Sequence, residues 1–202
     1  MKTKTILITL TSFIASAVFA FDPPPVGSAA PDFSLADAKG ETHSLSQYKG
    51  KYVVLEWFNP QCPFVKKHYG SGNMQKLQQE YTSKGVVWLT INSSAPGTWG
   101  ALTPDQAEEK MTEWKTHETA LLLDSGGKAG RAYGAKNTPN MVVINPDGKI
   151  VYEGAIDSKA TPNAADIPSS LNYVKVALDE SLAGKPVTTA RTKPYGCAVE
   201  YK

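Results

Sequence analysis

Cys62 and Cys197 are the two cysteines of this 202-residue sequence, and Cys62 sits in the more telling context. It lies in Lys51–Lys67, K-Y-V-V-L-E-W-F-N-P-Q-C-P-F-V-K-K. Pro63 stands where the first position of a helix tolerates proline. A thiol at a helix start lies beside unpaired N–H groups and the positive end of the helix dipole. Lys66 and Lys67 add positive charge about one turn further on. Such surroundings lower a cysteine pKa, and the thiolate is the nucleophile. The expected chemistry is therefore thiol exchange at Cys62, against the plainer alternative of an inert buried thiol. His68 reads as a surface or helix-face residue, with a role as base for Cys62 as the alternative. His43 and His117 have no partners visible in the sequence. Cysteine and histidine are too few and too scattered to group as zinc or copper ligands. No metal and no cofactor are expected.

The elements that must hold Cys62 follow from local patterning. Tyr52–Leu55 is β-branched, bulky and aromatic, which suits a buried strand. Asn59-Pro60 breaks it, because proline cannot donate to a ladder. The helix after Cys62 is interrupted by Gly70-Ser71-Gly72-Asn73, with Asn73 as a possible second cap, and resumes through Met74, Leu77 and Tyr81. Before this block, Asp32–Leu35 and Glu41–Leu45 read as a hairpin around Ala38-Lys39-Gly40.

After it, Gly85–Asn92 is a second core strand, and an insertion follows. Thr103-Pro104-Asp105-Gln106 starts a helix there with a threonine cap, a proline and a capping-box glutamine. Ala107, Met111 and Trp114 form its buried stripe. Leu121–Leu123 is a short strand, and Lys128–Tyr133 makes one or two helical turns. Met141–Ile144 and Lys149–Glu153 form a hairpin across Asn145-Pro146-Asp147-Gly148. Leu171, Val174, Leu178 and Leu182 mark the last helix. Strands separated by helices imply parallel pairing with helices on both faces, and the late hairpin adds antiparallel strands. The fold class is α/β, a three-layer α/β/α arrangement of a mixed sheet.

The chain divides into four segments. Residues 1–20 read as a secretory signal peptide, with Lys2 and Lys4, an apolar run and Val18-Phe19-Ala20 as cleavage site. Residues 21–31 are a proline-rich lead-in, 32–186 the folded domain, and 187–202 a mobile tail carrying Cys197. Losing Lys2 and Lys4 brings the 21 basic residues level with the 19 acidic ones. No basic block is left to bind nucleic acid or anionic lipid. No stretch after the signal segment is apolar enough to span a membrane. Export, with a bacterial periplasm as the expected destination, means an oxidising compartment where two cysteines can pair.

Taken together, Glu56-Trp57-Phe58-Asn59-Pro60-Gln61-Cys62-Pro63-Phe64-Val65, Thr138-Pro139 before a strand, and Asn145-Pro146-Asp147-Gly148-Lys149 resemble the thioredoxin-like superfamily. The likeness is to its exported redoxin and peroxiredoxin-like branch, grouped with alkyl hydroperoxide reductase and thiol-specific antioxidant proteins. It runs from about Gly27 to Lys202, and Lys193-Pro194-Tyr195-Gly196-Cys197 is similar to an ending of a little-characterised subgroup.

The resemblance implies a buried, proton-moving acid at Glu56, which would act as general base on Cys62; otherwise Glu56 is an exposed charge on an edge strand. It also implies a cis Pro139 that, with Thr138 and Pro63, lies against the cysteine and presents backbone groups to a bound peptide. The sequence departs from both family patterns. Val65 stands where a thioredoxin box has its second cysteine, and Phe64 and Lys67 stand where a peroxiredoxin has its threonine and its cysteine.

The expected function is an exported thiol–disulfide oxidoreductase with Cys62 as nucleophile, acting on thiol or disulfide proteins and recycled by an unidentified reductant. A thiol peroxidase and a non-catalytic binding module are the alternatives. Cys197 is left as the one intramolecular partner for Cys62, by a reversible bond, a permanent staple or not at all.

Overall fold

The structure, a computed structural model, describes residues 22–202. The expected signal peptide lies outside the described residues. Ser34–Ala36 (β1) and Thr42–Ser44 (β2) pair antiparallel as the N-terminal hairpin, and a 3-10 turn at Leu45–Tyr48 leads out of it. Val53–Trp57 (β3) is buried along its whole length, which explains its unbroken apolar run around Glu56.

Pro63–Gly70 (α1) and Asn73–Thr82 (α2) follow as a divided helix. Gly72, at φ 76°, caps α2 in place of the expected Asn73, because the break needs a left-handed residue. Val87–Asn92 (β4) comes next, then Pro104–Trp114 (α3), whose Thr103 capping box is present. Ala120–Leu123 (β5), Lys128–Ala132 (α4), Asn137–Thr138 (β6), Asn140–Ile144 (β7) and Ile150–Gly154 (β8) continue the chain. Tyr173–Leu182 (α5) and Cys197–Ala198 (β9) complete it.

The main sheet has the order β5-β4-β3-β7-β8, with β3 at its centre. β4 runs parallel to β3 and to β5, and β7 runs antiparallel to β3 and β8. Side chains alternate across the sheet. Val54, Trp88, Leu121, Met141 and Tyr152 face a core closed by α1, α2, α3 and α5. Leu55, Trp57, Leu89, Leu122 and Val142 face a second core closed by α4 and the N-terminal hairpin region. This is the expected three-layer mixed α/β fold of the thioredoxin-like type. The stripe assigned to the last helix is narrower than expected: Val174 and Leu178 are buried, but Leu171 and Leu182 are exposed. Among the described residues, no helix is long and apolar enough to cross a membrane.

Candidate active site

β3 ends at Trp57, and Phe58-Asn59-Pro60-Gln61 carries the chain out of the sheet to Cys62. Asn59 holds this turn: its Oδ1 accepts from the Gln61 N–H at 2.8 Å and its carbonyl from the Cys62 N–H at 3.1 Å. Cys62 is the N-cap of α1, and Pro63 occupies the first turn as anticipated. Beside the turn, Pro60, Gln61 and Lys66 join Leu102, Glu113 and Trp114 of the insertion in lining an open groove of about 670 Å³.

The Cys62 side chain has no exposed surface. Its Sγ donates to the Thr138 carbonyl at 3.2 Å, and the Thr138–Pro139 bond is cis. Thr138 lies in β6, whose partner is β9, with Thr138 opposite Cys197. That register places Cys197 beside Cys62, close enough for each thiol to shift the acidity of the other. Both thiols are free. Gly196 permits the close approach. It has φ 113°, and a Cβ there would meet the Thr138 carbonyl oxygen at 2.0 Å. The backbone edge that the resemblance assigns to a bound peptide is therefore occupied by the chain's own C-terminal segment.

That segment folds back over the Cys62 turn and is tied down along its length. Thr192 N–H donates to the Glu153 carbonyl, and Asn137 Nδ2 donates to the Gly196 carbonyl at 2.9 Å. Val199 N–H donates to the Lys136 carbonyl, Ala95 N–H to the Glu200 carbonyl, and the Tyr201 hydroxyl to the Ala135 carbonyl. It forms a strap across the end of the sheet that covers Cys62.

The strap also decides the acidity of the two thiols. Burial pushes Cys62 up, but hydrogen bonds from Cys197, from Thr138 and from the Val65 and Cys197 backbone outweigh it, so its pKa is lowered. Thr138 Oγ1, buried and without a hydrogen-bond partner among the described residues while Cys62 is a thiol, is the donor that turns to Cys62 once it is a thiolate. Cys197 moves the other way: burial, the hydrogen bond it gives to Cys62 and the charge there hold its proton on. The lowered pKa at Cys62 was expected, and the Val65 N–H at the helix start contributes to it as anticipated, but the two lysines do not. Lys67 turns inward, where its Nζ donates to Asp157 Oδ2 at 3.0 Å and to the Lys159 carbonyl at 2.9 Å. Lys66 lies on the surface. Short-range donors support the thiolate, not the lysines.

His68 is fully buried rather than on the surface. Its Nδ1 meets Asn73 Nδ2 at 2.9 Å, and its Nε2 lies 3.4 Å from the Tyr195 hydroxyl and 3.7 Å from Asp157. Both ring nitrogens are engaged away from Cys62. Burial outweighs the Asp157 charge and lowers the His68 pKa to about 4, so the ring is neutral at physiological pH. His43 does have partners, Asp37 Oδ2 at 3.1 Å and the Tyr48 hydroxyl at 2.6 Å. With Glu41, Asp37 and His43 offer atoms within 4.8 Å of one another, but Asp37 Oδ1 is already spent on the Lys39 and Glu41 N–H groups of the hairpin turn.

Glu56 occupies the central strand, fully buried, not an edge. Its Oε1 accepts from the Tyr69 hydroxyl and its Oε2 from Trp88 Nε1, both at 2.8 Å. Burial raises its pKa to about 7, partly offset by those hydrogen bonds. The hydrogen bonds of Glu56 run to this aromatic network, not to the Cys62 thiol. Asp157 and Tyr195 escaped the sequence reading as site residues. Nothing local marks Asp157, and the one hint at Tyr195 was its place two residues before Cys197.

Fold and site together define a thioredoxin-like redoxin with a cysteine at the head of α1. The AhpC/TSA family matches residues 26–153, and the chain belongs to that family. It is 30% identical over 125 residues to the thiol-disulfide oxidoreductase ResA of Geobacillus thermodenitrificans, a match covering 62% of this chain and 66% of that relative. The crystal structure of an uncharacterized conserved protein from Geobacillus kaustophilus superposes with a TM-score of 0.75 at 28% identity, covering 88% of this chain and 93% of that one. A putative thiol:disulfide interchange protein DsbE from Chlorobium tepidum superposes with a TM-score of 0.53 at 26% identity, covering 64% and 84%.

Proposed function

We propose that this protein is an exported thiol–disulfide oxidoreductase in which Cys62 is the nucleophile and Cys197 resolves it. The observation that carries the reading is the pair itself: two free thiols that meet at Thr138, Cys62 on its carbonyl and Cys197 opposite it in the ladder, one made more acidic and the other less. The Cys62 thiolate attacks one sulfur of a substrate disulfide, forming a mixed disulfide and releasing the other substrate sulfur as a thiolate. With Cys62 so bonded, the negative charge and hydrogen bond that hold the proton on Cys197 are gone. Cys197 then loses its proton and attacks the Cys62 sulfur. This forms a Cys62–Cys197 disulfide and frees the second substrate thiol, so two electrons have passed to the substrate. A dithiol reductant returns them by the reverse exchange.

Pro63, exposed beside Cys62, is the proposed contact point for the substrate, while Thr138 and Pro139 are buried under the strap and would join it only where the strap lifts. Glu56 is the proposed proton store behind them. Its carboxyl is poised near neutrality, and its hydrogen bonds run to Tyr69 and Trp88 rather than to a thiol. Relatives named as thiol-disulfide oxidoreductase and thiol:disulfide interchange protein support the reaction class. The signal-like segment at residues 1–20 supports export to the periplasm, with thiol or disulfide proteins as partners.

Mass mapping of Cys62 and Cys197 tests the reading. A small disulfide oxidant should convert the reduced protein to an intramolecular Cys62–Cys197 disulfide that a dithiol reverses, and Cys62→Ser should abolish it. Conversion by stoichiometric peroxide, with no reaction towards disulfides, would replace this function with a peroxidase. Two thiols that never join would remove the resolving role.

A further inference from the structure

A two-residue ladder is a weak way to hold a thiol in place. β6 and β9 pair through Asn137–Ala198 and Thr138–Cys197 alone, and so short a ribbon has little stability of its own. Besides the strap's backbone attachments along the sheet, a side-chain attachment to α1 lies two residues before Cys197. The Tyr195 hydroxyl donates to Asp157 Oδ1, while Asp157 Oδ2 accepts from Lys67 Nζ at 3.0 Å. Lys67 and Asp157 are 0% and 1% exposed, so this pair is sealed from water. His68 Nε2 approaches the same hydroxyl at 3.4 Å. The Tyr195 ring lies 5.7 Å from the Phe64 ring and 5.8 Å from Lys67 Nζ, centroid distances within the range for ring–ring and cation–ring attraction.

Phe64, Lys67 and His68 all belong to α1, the helix that Cys62 caps. The element carrying one thiol is thus bolted to the segment carrying the other, about one helical turn from where the thiols meet. A buried charge-assisted hydrogen bond is the strongest kind available for such a bolt.

We infer that Tyr195 is the positioning residue of the thiol pair: through Asp157 it fixes the strap on α1 and thereby sets the effective concentration of Cys197 at Cys62. This rests on the oxidoreductase reading above. Tyr195 touches neither reacting sulfur in this role; it acts through the geometry of Cys197. Gly196 then carries the strap over the Thr138 carbonyl, so Tyr195, Gly196 and Cys197 serve in succession as anchor, close contact and thiol.

The inference is tested by Tyr195→Phe, which keeps the ring and removes the hydroxyl. Tyr201→Phe serves as control, since it deletes a strap hydroxyl bonded elsewhere, to the Ala135 carbonyl. Glutathione redox equilibration read by mass gives the constant for closing the Cys62–Cys197 disulfide. Losing a hydrogen bond to a charged group should lower that constant about tenfold or more in Tyr195→Phe. Tyr201→Phe should leave it within about twofold. In a Cys62→Ser background, where no disulfide can close within the chain, Cys197 alkylation should accelerate in Tyr195→Phe. A closing constant that ignores the Tyr195 hydroxyl, or falls equally in both variants, would overturn the positioning role alone. Faster Cys197 labelling in a protein whose unaltered form closes no disulfide would overturn the oxidoreductase reading and with it the positioning role, leaving a structural strap.

Discussion

Glu56→Gln puts a number on the buried acid of the central strand. In the folded protein both carboxyl oxygens accept hydrogen bonds and the side chain is shut away from water. Burial lifts its pKa from an ordinary 4.5 to about 7. The folded chain therefore binds this proton more tightly than the unfolded chain. The associated stability is fully present below pH 4.5 and is lost as pH rises through about 7. Each tenfold in proton affinity corresponds to about 1.4 kcal/mol, so the whole effect is about 3 kcal/mol. Glutamine keeps the shape and does not titrate. Its oxygen can still accept from Trp88 Nε1, and its amide can donate to the Tyr69 hydroxyl oxygen. Urea unfolding of the reduced protein and of Glu56→Gln should be compared from pH 4.5 to 8. The stability of the variant relative to the parent should rise by about 3 kcal/mol across that interval and level off above it. A difference that stays constant with pH would refute a carboxyl pushed up by burial. Thiol-exchange rates on the same samples address the proposed proton-store role, which predicts slower exchange in the variant.

Two further predictions concern the surroundings of Cys62. Cys197→Ala removes a hydrogen-bond donor to the thiolate, so the pH midpoint of Cys62 alkylation should move upward while remaining tied to Cys62; a midpoint that stays or falls would mean that Cys197 does not support the charge. Lys67→Met leaves Asp157 buried without its cation and should cost about 3–5 kcal/mol in urea unfolding, with part recovered by adding Asp157→Leu. Strictly additive losses would show that the two side chains do not depend on each other.

Much of the architecture was legible in the residues because it depends on short-range chemistry. Asn59-Pro60 had to end a strand, Pro63 had to begin a helix, and Thr103 to Gln106 carried both halves of a capping box. Asn145-Pro146-Asp147-Gly148 had to turn a hairpin. Apolar runs and turn residues set the sequence of strands and helices, hence the mixed sheet and the head-of-helix position of Cys62. Glycine at 72 instead of Asn73 as the cap of α2 marks the limit of that reading, since both residues suit a break and the backbone angle chose between them.

The site itself depended on contacts between distant parts of the chain. Lys67 reads locally as a charge beside Cys62, but Asp157, ninety residues away, draws it into the interior. His68 looks like a helix-face residue until Tyr195 and Asp157 cover it. Glu56 has the same neighbours in sequence whether its strand lies at an edge or at the centre; pairing with β4 on one side and β7 on the other decides which. The meeting of Cys62 with Cys197 is of the same kind. The sequence alone determined that one thiol heads a helix and that a second lies near the end of the chain. Only the tertiary structure, by seating β9 on β6 with Gly196 against the Thr138 carbonyl, brought the two sulfurs together, because no local preference acts across so long a stretch of chain.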